Sequence, residues 1–363
     1  MGGEVKINYD YFALTGKWQN VAYFLRQGHL LAHIVDRFKW HYFPKYFITP
    51  AFPTHIDIET SSRCQMRCPM CKTTKMAEKG LDFMGCMDFG IYEKIIDECI
   101  KEPLYSIKLS WRGEPLLNPD IVKMVRYAKE KGIKDVAFLS NGERLTQKLA
   151  EDLILSGLDW LSISFDGMGE LYDKVRAPAK FIETLEKIKY IRVFREKSGK
   201  NKPLIRIQSI HSAISRKEEE FLRLWDGIAD RVNFIADQKR SLNEDDYEQN
   251  PAYICPSPWQ RACISWDGKV VQCYGDYMQG NVLGNVNEKS LKEIWHDQPF
   301  IKLRKLMKSG KRLSTKPCRI CSDGGLIEEK MVMIDRRKIK AVQYVNQRID
   351  INVLTDIEKR NEA

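Results

Sequence analysis

The sequence predicts an α/β fold, a partial or full barrel of six βα units with a small cysteine-rich domain behind it. Three observations predict it. From about His55 to Asp237, short β-type runs alternate with amphipathic helical stretches, the pattern of repeated βα units on a parallel sheet or barrel. Directly after the first of those runs, SSRCQMRCPMC packs Cys64, Cys68 and Cys71 into eight positions. Past Asp237 the alternation stops at a polar, turn-rich stretch, QKRSLNEDDYEQNPAYIC, beyond which further cysteines gather.

The strands are expected at HIDIE (55–59), YSIKLSW (105–111), VAFLS (136–140), WLSISF (160–165), IRIQSI (205–210) and RVNFIA (231–236). Between them, FGIYEKIIDECI, IVKMVRYAKEKG, QKLAEDLILSG, FIETLEKIKYIRVFRE and KEEEFLRLWDGIA carry apolar residues at i, i+3, i+4 spacing, as half-buried helices do. Gly132 and Gly157 stand where a helix C-terminus needs a residue that tolerates left-handed backbone. In such folds the loops after the C-terminal ends of the strands build the site. The three-cysteine loop follows the first strand and lies where chemistry is expected.

A chain of 363 residues has room for one large α/β domain with an appendage. Four segments follow: an aromatic and basic extension (1–51), the barrel (52–240), the cysteine-rich domain (241–330) and a C-terminal tail (331–363). No basic region followed by a long apolar stretch opens the chain, and no run reaches the roughly 18 apolar residues of a membrane span. A cytoplasmic location is therefore expected, and ten cysteines in a reducing compartment argue for metal ligands or reactive thiols over disulfides. The formal charge of +10 is spread over sign-mixed helical faces and gives no sign of a nucleic-acid partner. Lys17 to Phe47 interleaves aromatics and Leu/Ile with Arg, Lys and His. It reads either as a helix packed across the main domain or as a basic amphipathic helix on a membrane surface.

Cys64, Cys68 and Cys71 form C-x3-C-x2-C. Three clustered thiolates without an adjacent fourth ligand suit zinc poorly. An iron–sulfur cube held by three leaves one iron open to a substrate or cofactor. The arrangement resembles the radical S-adenosylmethionine superfamily, whose signature is this spacing after the first strand of a six-βα partial barrel. The resemblance implies that the open iron chelates S-adenosylmethionine, and that an electron from the [4Fe–4S] cluster cleaves it to a 5′-deoxyadenosyl radical that abstracts hydrogen from a C–H bond. LSWRGEPLLNPD (109–120) is similar to the family's Gly-Gly-Glu-Pro segment, with Arg112 standing where the first Gly usually stands. That similarity implies that Glu114 binds the methionyl ammonium. LSNGERL (139–145) and SISFDG (162–167) resemble the segments after the third and fourth strands. They imply cofactor contacts at Ser140, Asn141, Ser164 and Asp166, with Arg176 and Gln208 further candidates.

In the second group, Asp267-Gly268 sits between two β-type runs as a hairpin turn. Cys255, Cys273, Cys318 and Cys321 make one four-thiolate set, C-x17-C-x44-C-x2-C, which suits a structural zinc or a fully ligated cluster. The stretch resembles the SPASM/twitch extension of the same superfamily, and the resemblance implies one auxiliary [4Fe–4S] cluster acting as an electron port. Cys86, Cys99 and Cys263 lie outside both sets. Cys99 is expected in a helix core, while Cys86 and Cys263 are expected to pack and are also the candidate hydrogen donors.

The expected function is oxidation or epimerisation of a small polar, sugar- or cyclitol-like molecule by a radical enzyme with two [4Fe–4S] clusters and S-adenosylmethionine, reduced by a flavodoxin- or ferredoxin-type donor. The alternatives are a peptide-modifying maturase, epimerising or crosslinking, and a non-enzymatic iron–sulfur protein.

Overall fold

The computed structural model describes residues 12–13, 25–26, 28–81, 84–235, 248–334 and 337–344. Strands β2 (His55–Ile58), β3 (Ser106–Lys108), β4 (Asp135–Ser140), β5 (Trp160–Ser164), β6 (Leu204–Ile210) and β7 (Arg231–Ile235) lie side by side in chain order, each neighbouring pair parallel. A two-residue strand, β1 (Phe12–Ala13), runs antiparallel on the outer edge of β7. The six expected strands are all present. The second is shorter than expected because the chain leaves the ladder after Leu109, whose amide still donates to Ala137 O, to form the loop that carries Glu114.

Helix α1 (Leu30–Lys45) precedes the barrel. In the barrel, α2 (Lys72–Glu78), α3 (Phe89–Cys99), α4 (Ile121–Glu130), α5 (Gln147–Leu155), α6 (Glu170–Val175), α7 (Phe181–Lys197) and α8 (Glu218–Leu224) fill the crossovers. The Asp88 side chain caps α3 by accepting from Gly90 N, and Thr146 caps α5 by accepting from Leu149 N. Gly132 and Gly157 follow α4 and α5 with φ of +98° and +89°. The short α2 and α6 had no expectation, and α8 stops at Leu224, short of the expected 229.

The strands are two-faced. Ile56 and Ile58, Val136 and Phe138, and Ile205 and Ile207 form one core with Tyr92, Met124, Ile154 and Ile188 of the helices. The alternate positions turn inward, where Lys108, Ser164 and Gln208 line a cavity. A barrel filled with branched apolar side chains would be solid. This one is polar inside and therefore open.

The sheet does not close β7 onto β2. Strand β8 (Arg261–Ile264) instead pairs parallel with β2, from His55↔Arg261 to Ile58↔Ile264. The expected Asp267-Gly268 hairpin then turns back as β9 (Lys269–Val271), followed by β10 (Val282–Asn285). The cysteine-rich segment thus extends the barrel's own sheet. Helix α9 (Leu291–His296) is capped by Ser290 and Glu293 together, and its first amides donate to the Glu98 carboxylate of α3. Helices α10 (Gln298–Lys308) and α11 (Lys316–Arg319) complete this part. Where a tail was expected, β11 (Ile327–Ile334) and β12 (Arg337–Tyr344) form a hairpin. Most of the expected linker after Asp237 lies outside the described residues.

Helix α1 does pack across the domain. Gln260 Nε2 donates to Trp40 O at 2.8 Å, and Phe47, just past the helix, meets Trp259 at 5.2 Å between ring centres. Its other side faces outward. Of the fourteen large apolar side chains exposed among the described residues, nine lie between Leu25 and Ile48, so the outer face of α1 is the main apolar patch. Among the described residues, no helix is long and apolar enough to cross a membrane.

Candidate active site

The loop from β2 to α2 carries the first three cysteines, and its shape is set by a second loop pressed against it. Glu114 N donates to Arg63 O at 2.7 Å. Gly113 has a φ of +64°, and a Cβ there would stand 2.5 Å from Ser61 O and Ser62 C. Only glycine allows that approach. Arg112, where the family's first Gly was expected, has a task of its own. Its guanidinium takes both oxygens of the buried Glu59 carboxylate, at 2.7 and 2.8 Å, and donates a third bond to Tyr277 O at 2.8 Å. Trp111 Nε1 donates to Tyr274 O at 2.6 Å. The Glu114 loop is therefore tied both to the three-cysteine loop and to the loop that follows Cys273.

Glu114 is fully buried and accepts from Ser140 Oγ at 2.8 Å, Asn141 N at 2.7 Å and Leu116 N at 3.1 Å. Burial pushes its carboxyl up to about 7, although these three donors oppose the shift. It makes no ion pair among the described residues, so a cation delivered by a ligand would be met by a desolvated carboxylate. Asn141 also reaches the cysteines, its Nδ2 lying 3.8 Å from Cys64 Sγ. Gln65 Nε2 bonds both Asn141 Oδ1, at 3.2 Å, and Glu143, at 2.7 Å. Arg176 donates to Cys68 Sγ at 3.6 Å and is held by an ion pair with Asp166, which also accepts from Ile210 N at 2.7 Å. Asp166 thus positions Arg176. Ser164 and Gln208 face the same cavity.

Burial raises the Cys64 thiol to about 12, with Cys71, Glu114 and Cys68 adding to it against the Met66 amide. Cys68 rises to about 11 by burial, opposed by Arg176. The second set behaves alike. Cys255 is pushed up to about 12, and burial together with the other thiols of the set raises Cys273 and Cys321 well above the ordinary range. Gln272 Nε2 donates to Cys318 Sγ at 3.0 Å. Crowded, buried thiols are poorly stable as thiolates until a positive centre binds among them. Among the described residues, no three Cys, His or carboxylate groups converge as ligands of a single ion. Two sets of buried or half-buried thiols, one of three and one of four, are the donor type that an iron–sulfur cluster takes.

Cys64, Cys68 and Cys71 share one cavity of about 650 Å³ with Cys255, Cys273 and Cys321. That lies within the roughly 300–1,000 Å³ of small-molecule sites. Glu114, Ser140, Asn141, Ser164, Asp166, Arg176 and Gln208 all line it. Cys318 is buried behind it. Cys86 and Cys263 are not on its wall: Cys86 packs against Ser61 and Leu117, and Cys263 is buried in β8. Cys99 is in the core under α3, as expected. The sequence reading missed Glu59, Asp57, Lys108 and Arg261. Their signal was the polar half of the period-two alternation in HIDIE, SIKLS and RACIS.

Residues 58–234 match the radical SAM superfamily, and residues 255–322 match the SPASM iron–sulfur cluster-binding domain. The chain is 26% identical over 304 residues to the tungsten-containing aldehyde ferredoxin oxidoreductase cofactor-modifying protein of Pyrococcus furiosus, covering 70% of this chain and 84% of that one. It is 24% identical over 274 residues to the S-adenosyl-L-methionine-dependent 2-deoxy-scyllo-inosamine dehydrogenase of Niallia circulans, covering 74% and 92%. Among solved structures, BtrN in complex with AdoMet and 2-DOIA aligns with a TM-score of 0.50 at 20% identity, over 76% of this chain and 94% of that one. Streptococcus suis SuiB bound to precursor peptide SuiA aligns with 0.51 at 16%, over 88% and 79%. The two likenesses show the fold and do not choose between their substrates.

Proposed function

The chain belongs to the radical S-adenosylmethionine superfamily and carries a SPASM domain, and from that premise we propose that it oxidises a C–H bond of a small, polar, sugar- or cyclitol-like molecule held between its two cysteine sets. The observation that carries this reading is the single cavity onto which the first three cysteines, Glu114 and three of the second set all open. Cys64, Cys68 and Cys71 would hold the cluster that binds S-adenosylmethionine, and Cys255, Cys273, Cys318 and Cys321 the auxiliary one. Held there, these groups would supply one-electron chemistry, reductive activation of S-adenosylmethionine for hydrogen abstraction at the first set and an electron acceptor at the second.

The chain's own residues orient and tune. Glu114, fixed by Ser140 and the Asn141 amide, faces the methionyl ammonium. Arg176, set by Asp166, and Asn141 donate toward the cysteine sulfurs. Ser164 and Gln208 offer polar contacts to the rest of the cofactor. The S-adenosyl-L-methionine-dependent 2-deoxy-scyllo-inosamine dehydrogenase relative supports oxidation over epimerisation. The cavity must also hold S-adenosylmethionine, which leaves room for a small molecule or one residue of an extended peptide. The 2-deoxy-scyllo-inosamine dehydrogenase relative favours the first.

The test is anaerobic reconstitution with iron and sulfide, then dithionite, S-adenosylmethionine and panels of cyclitols, sugars and peptides. One 5′-deoxyadenosine per two-electron-oxidised sugar or cyclitol supports the reading. Stimulation by peptides alone transfers it to a maturase, and no 5′-deoxyadenosine under any condition leaves an iron–sulfur protein without this activity.

A flavodoxin- or ferredoxin-type protein on the cytoplasmic side is the proposed electron source. The outer face of α1, where Leu31, Ile34, Val35 and Phe38 are each more than half exposed beside Arg37 and Lys39, is proposed to rest on an anionic lipid surface. Co-sedimentation with phosphatidylglycerol vesicles, but not with phosphatidylcholine, and its loss in L31E/F38E would bear this out. Sedimentation equal for both lipids, or unchanged in the variant, would refute it.

A further inference from the structure

A chain of hydrogen bonds joins the neighbourhood of Cys64 to that of Cys273, and it passes through the Glu114 loop. Glu114 N donates to the carbonyl of Arg63, the residue before Cys64, at 2.7 Å. Three residues earlier, Trp111 Nε1 donates to the carbonyl of Tyr274, the residue after Cys273, at 2.6 Å. The Arg112 bond to Tyr277 O runs beside it. The Trp111 ring meets the Arg112 guanidinium at 4.3 Å and the Tyr277 ring at 6.2 Å, so the indole is held by its faces as well as by its nitrogen. Glu114 is therefore placed from both sides.

The loop that receives Trp111 is built around residues of the second cysteine set. Asp276 N donates to Cys273 O at 3.0 Å, and the buried Asp276 carboxylate accepts from Gly280 N at 2.7 Å and Asn281 N at 3.0 Å. Asn281 bonds Gln272 twice: its carbonyl accepts from Gln272 N at 3.0 Å, and its amide donates to Gln272 Oε1 at 2.7 Å. Gln272 Nε2 in turn reaches Cys318 Sγ at 3.0 Å. The Tyr274 hydroxyl donates to Asp323, two residues past Cys321. The positions of Tyr274 O and Tyr277 O thus follow those of Cys273, Cys318 and Cys321.

Binding of a metal centre is coupled to the order of the backbone that carries its ligands. Cys255, Cys273, Cys318 and Cys321 come from segments far apart in the chain, so loading them fixes the 273–281 loop and the two carbonyls that Trp111 and Arg112 hold. A site whose competent arrangement is fixed beforehand binds its ligand with higher apparent affinity. Glu114 is such an arrangement, because a buried carboxylate meets an ammonium from one place only.

We infer that Trp111 is a positioning residue that makes the affinity for S-adenosylmethionine depend on the loading of the second cysteine set. This goes beyond the proposed function and rests on it for the roles of Glu114 and of the two sets. A chain without its second cluster then holds S-adenosylmethionine weakly, and does not cleave it where no acceptor stands ready for the electron. By linkage, bound S-adenosylmethionine strengthens the second set's hold on its cluster by the same factor.

The test is equilibrium dialysis of S-adenosylmethionine against the anaerobically reconstituted wild type, W111F, E114Q and W111F/E114Q, and against Cys255/Cys273/Cys318/Cys321→Ala with and without W111F. W111F keeps a ring and loses the donor. At unchanged iron content it is expected to weaken binding about tenfold, within the usual range of coupling between sites, and the cysteine variant is expected to weaken it by a similar factor. The two losses should not multiply when combined, and W111F/E114Q should bind like E114Q. Burial pushes the Glu114 carboxyl up to about 7; in W111F a less enclosed carboxyl should move the pH dependence of binding lower, which partial unfolding would not do. W111F with wild-type affinity overturns the inference, as do losses that multiply in full or a weakening that leaves the pH dependence unmoved. If the cysteine variant also loses its first-set iron, the cycle between W111F and E114Q decides alone. E114Q that binds like the wild type would instead remove Glu114 from the proposed function. Coupled affinities without any 5′-deoxyadenosine would sink the proposed activity and leave the coupling standing.

Discussion

Arg112 and Glu59 form a buried ion pair in which both guanidinium-to-carboxylate bonds are made, at 2.7 and 2.8 Å, and the third arm of Arg112 reaches Tyr277 O. A position that belongs to a glycine in the resembling segment is thus a strut between the Glu114 loop and the loop after Cys273. Glycine is still required, one residue later, at Gly113.

The strut predicts that restoring glycine at 112 does harm. Removing one partner of a buried pair leaves the other charge uncompensated and costs roughly 3–5 kcal/mol. R112G and R112A should both lower the unfolding free energy by an amount of that order, read as a lower urea midpoint at unchanged slope. R112K, which keeps the charge and loses the two-bond fit, should fall between. A wild-type midpoint in R112G would show that Glu59 finds another partner.

The two cysteine sets predict separable iron contents. The reconstituted wild type should carry about eight irons, as two four-iron clusters require. Cys64/Cys68/Cys71→Ala should retain about four and form no 5′-deoxyadenosine. A wild type with about four irons plus zinc would make the second set structural and end its role as an electron acceptor.

Glu114 predicts a pH dependence of cofactor affinity. Burial, opposed by Asn141, Ser140 and Leu116, lifts its carboxyl to about 7 from an ordinary 4.5. A raised folded value means that the empty protein gains stability from the neutral acid below about pH 4.5 and loses it as pH rises through 7. An ammonium needs the ionised form, so S-adenosylmethionine should bind progressively more weakly as pH falls from 8 to 6, approaching tenfold per unit below 7. Equilibrium dialysis would measure this. E114Q should bind weakly at every pH, with the slope gone. A slope of wild-type size in E114Q would assign it to another group.

Much of this was legible because it is local. Six strands of alternating residues, Gly132 and Gly157 past their helices, and cysteines at fixed spacing each follow from a few neighbouring positions. What escaped is what depends on packing between distant segments. Nothing near HIDIE announces that β8, some two hundred residues later, will lie parallel to it and bring Arg261 to Asp57. Nor does the Arg at 112 announce a carboxylate at 59. Asp166 is a different kind of case: its place at the end of β5 was expected, but its side chain serves Arg176 and the Ile210 amide. The C-terminal hairpin has no comparable local signal, because the alternation in RKIKAVQY breaks at Ala341-Val342.

Gln272 tests whether the second site conducts electrons. Its Nε2 donates to Cys318 Sγ at 3.0 Å, its Oε1 accepts from Asn281 at 2.7 Å, and the side chain is almost completely buried. A donor on a ligating sulfur stabilises the more negative, reduced state of a cluster and raises its potential. Q272L removes the donor, and Q272E replaces it with a charge of the wrong sign. The auxiliary potential should therefore fall in the order wild type, Q272L, Q272E, while the Cys64, Cys68 and Cys71 site keeps its own value, and a redox titration followed by electron paramagnetic resonance reads both. If the auxiliary site accepts the substrate's electron, the ratio of oxidised product to 5′-deoxyadenosine should drop in the same order. A shifted potential with an unchanged ratio would mean that the electron leaves by another route and that the second set serves the fold.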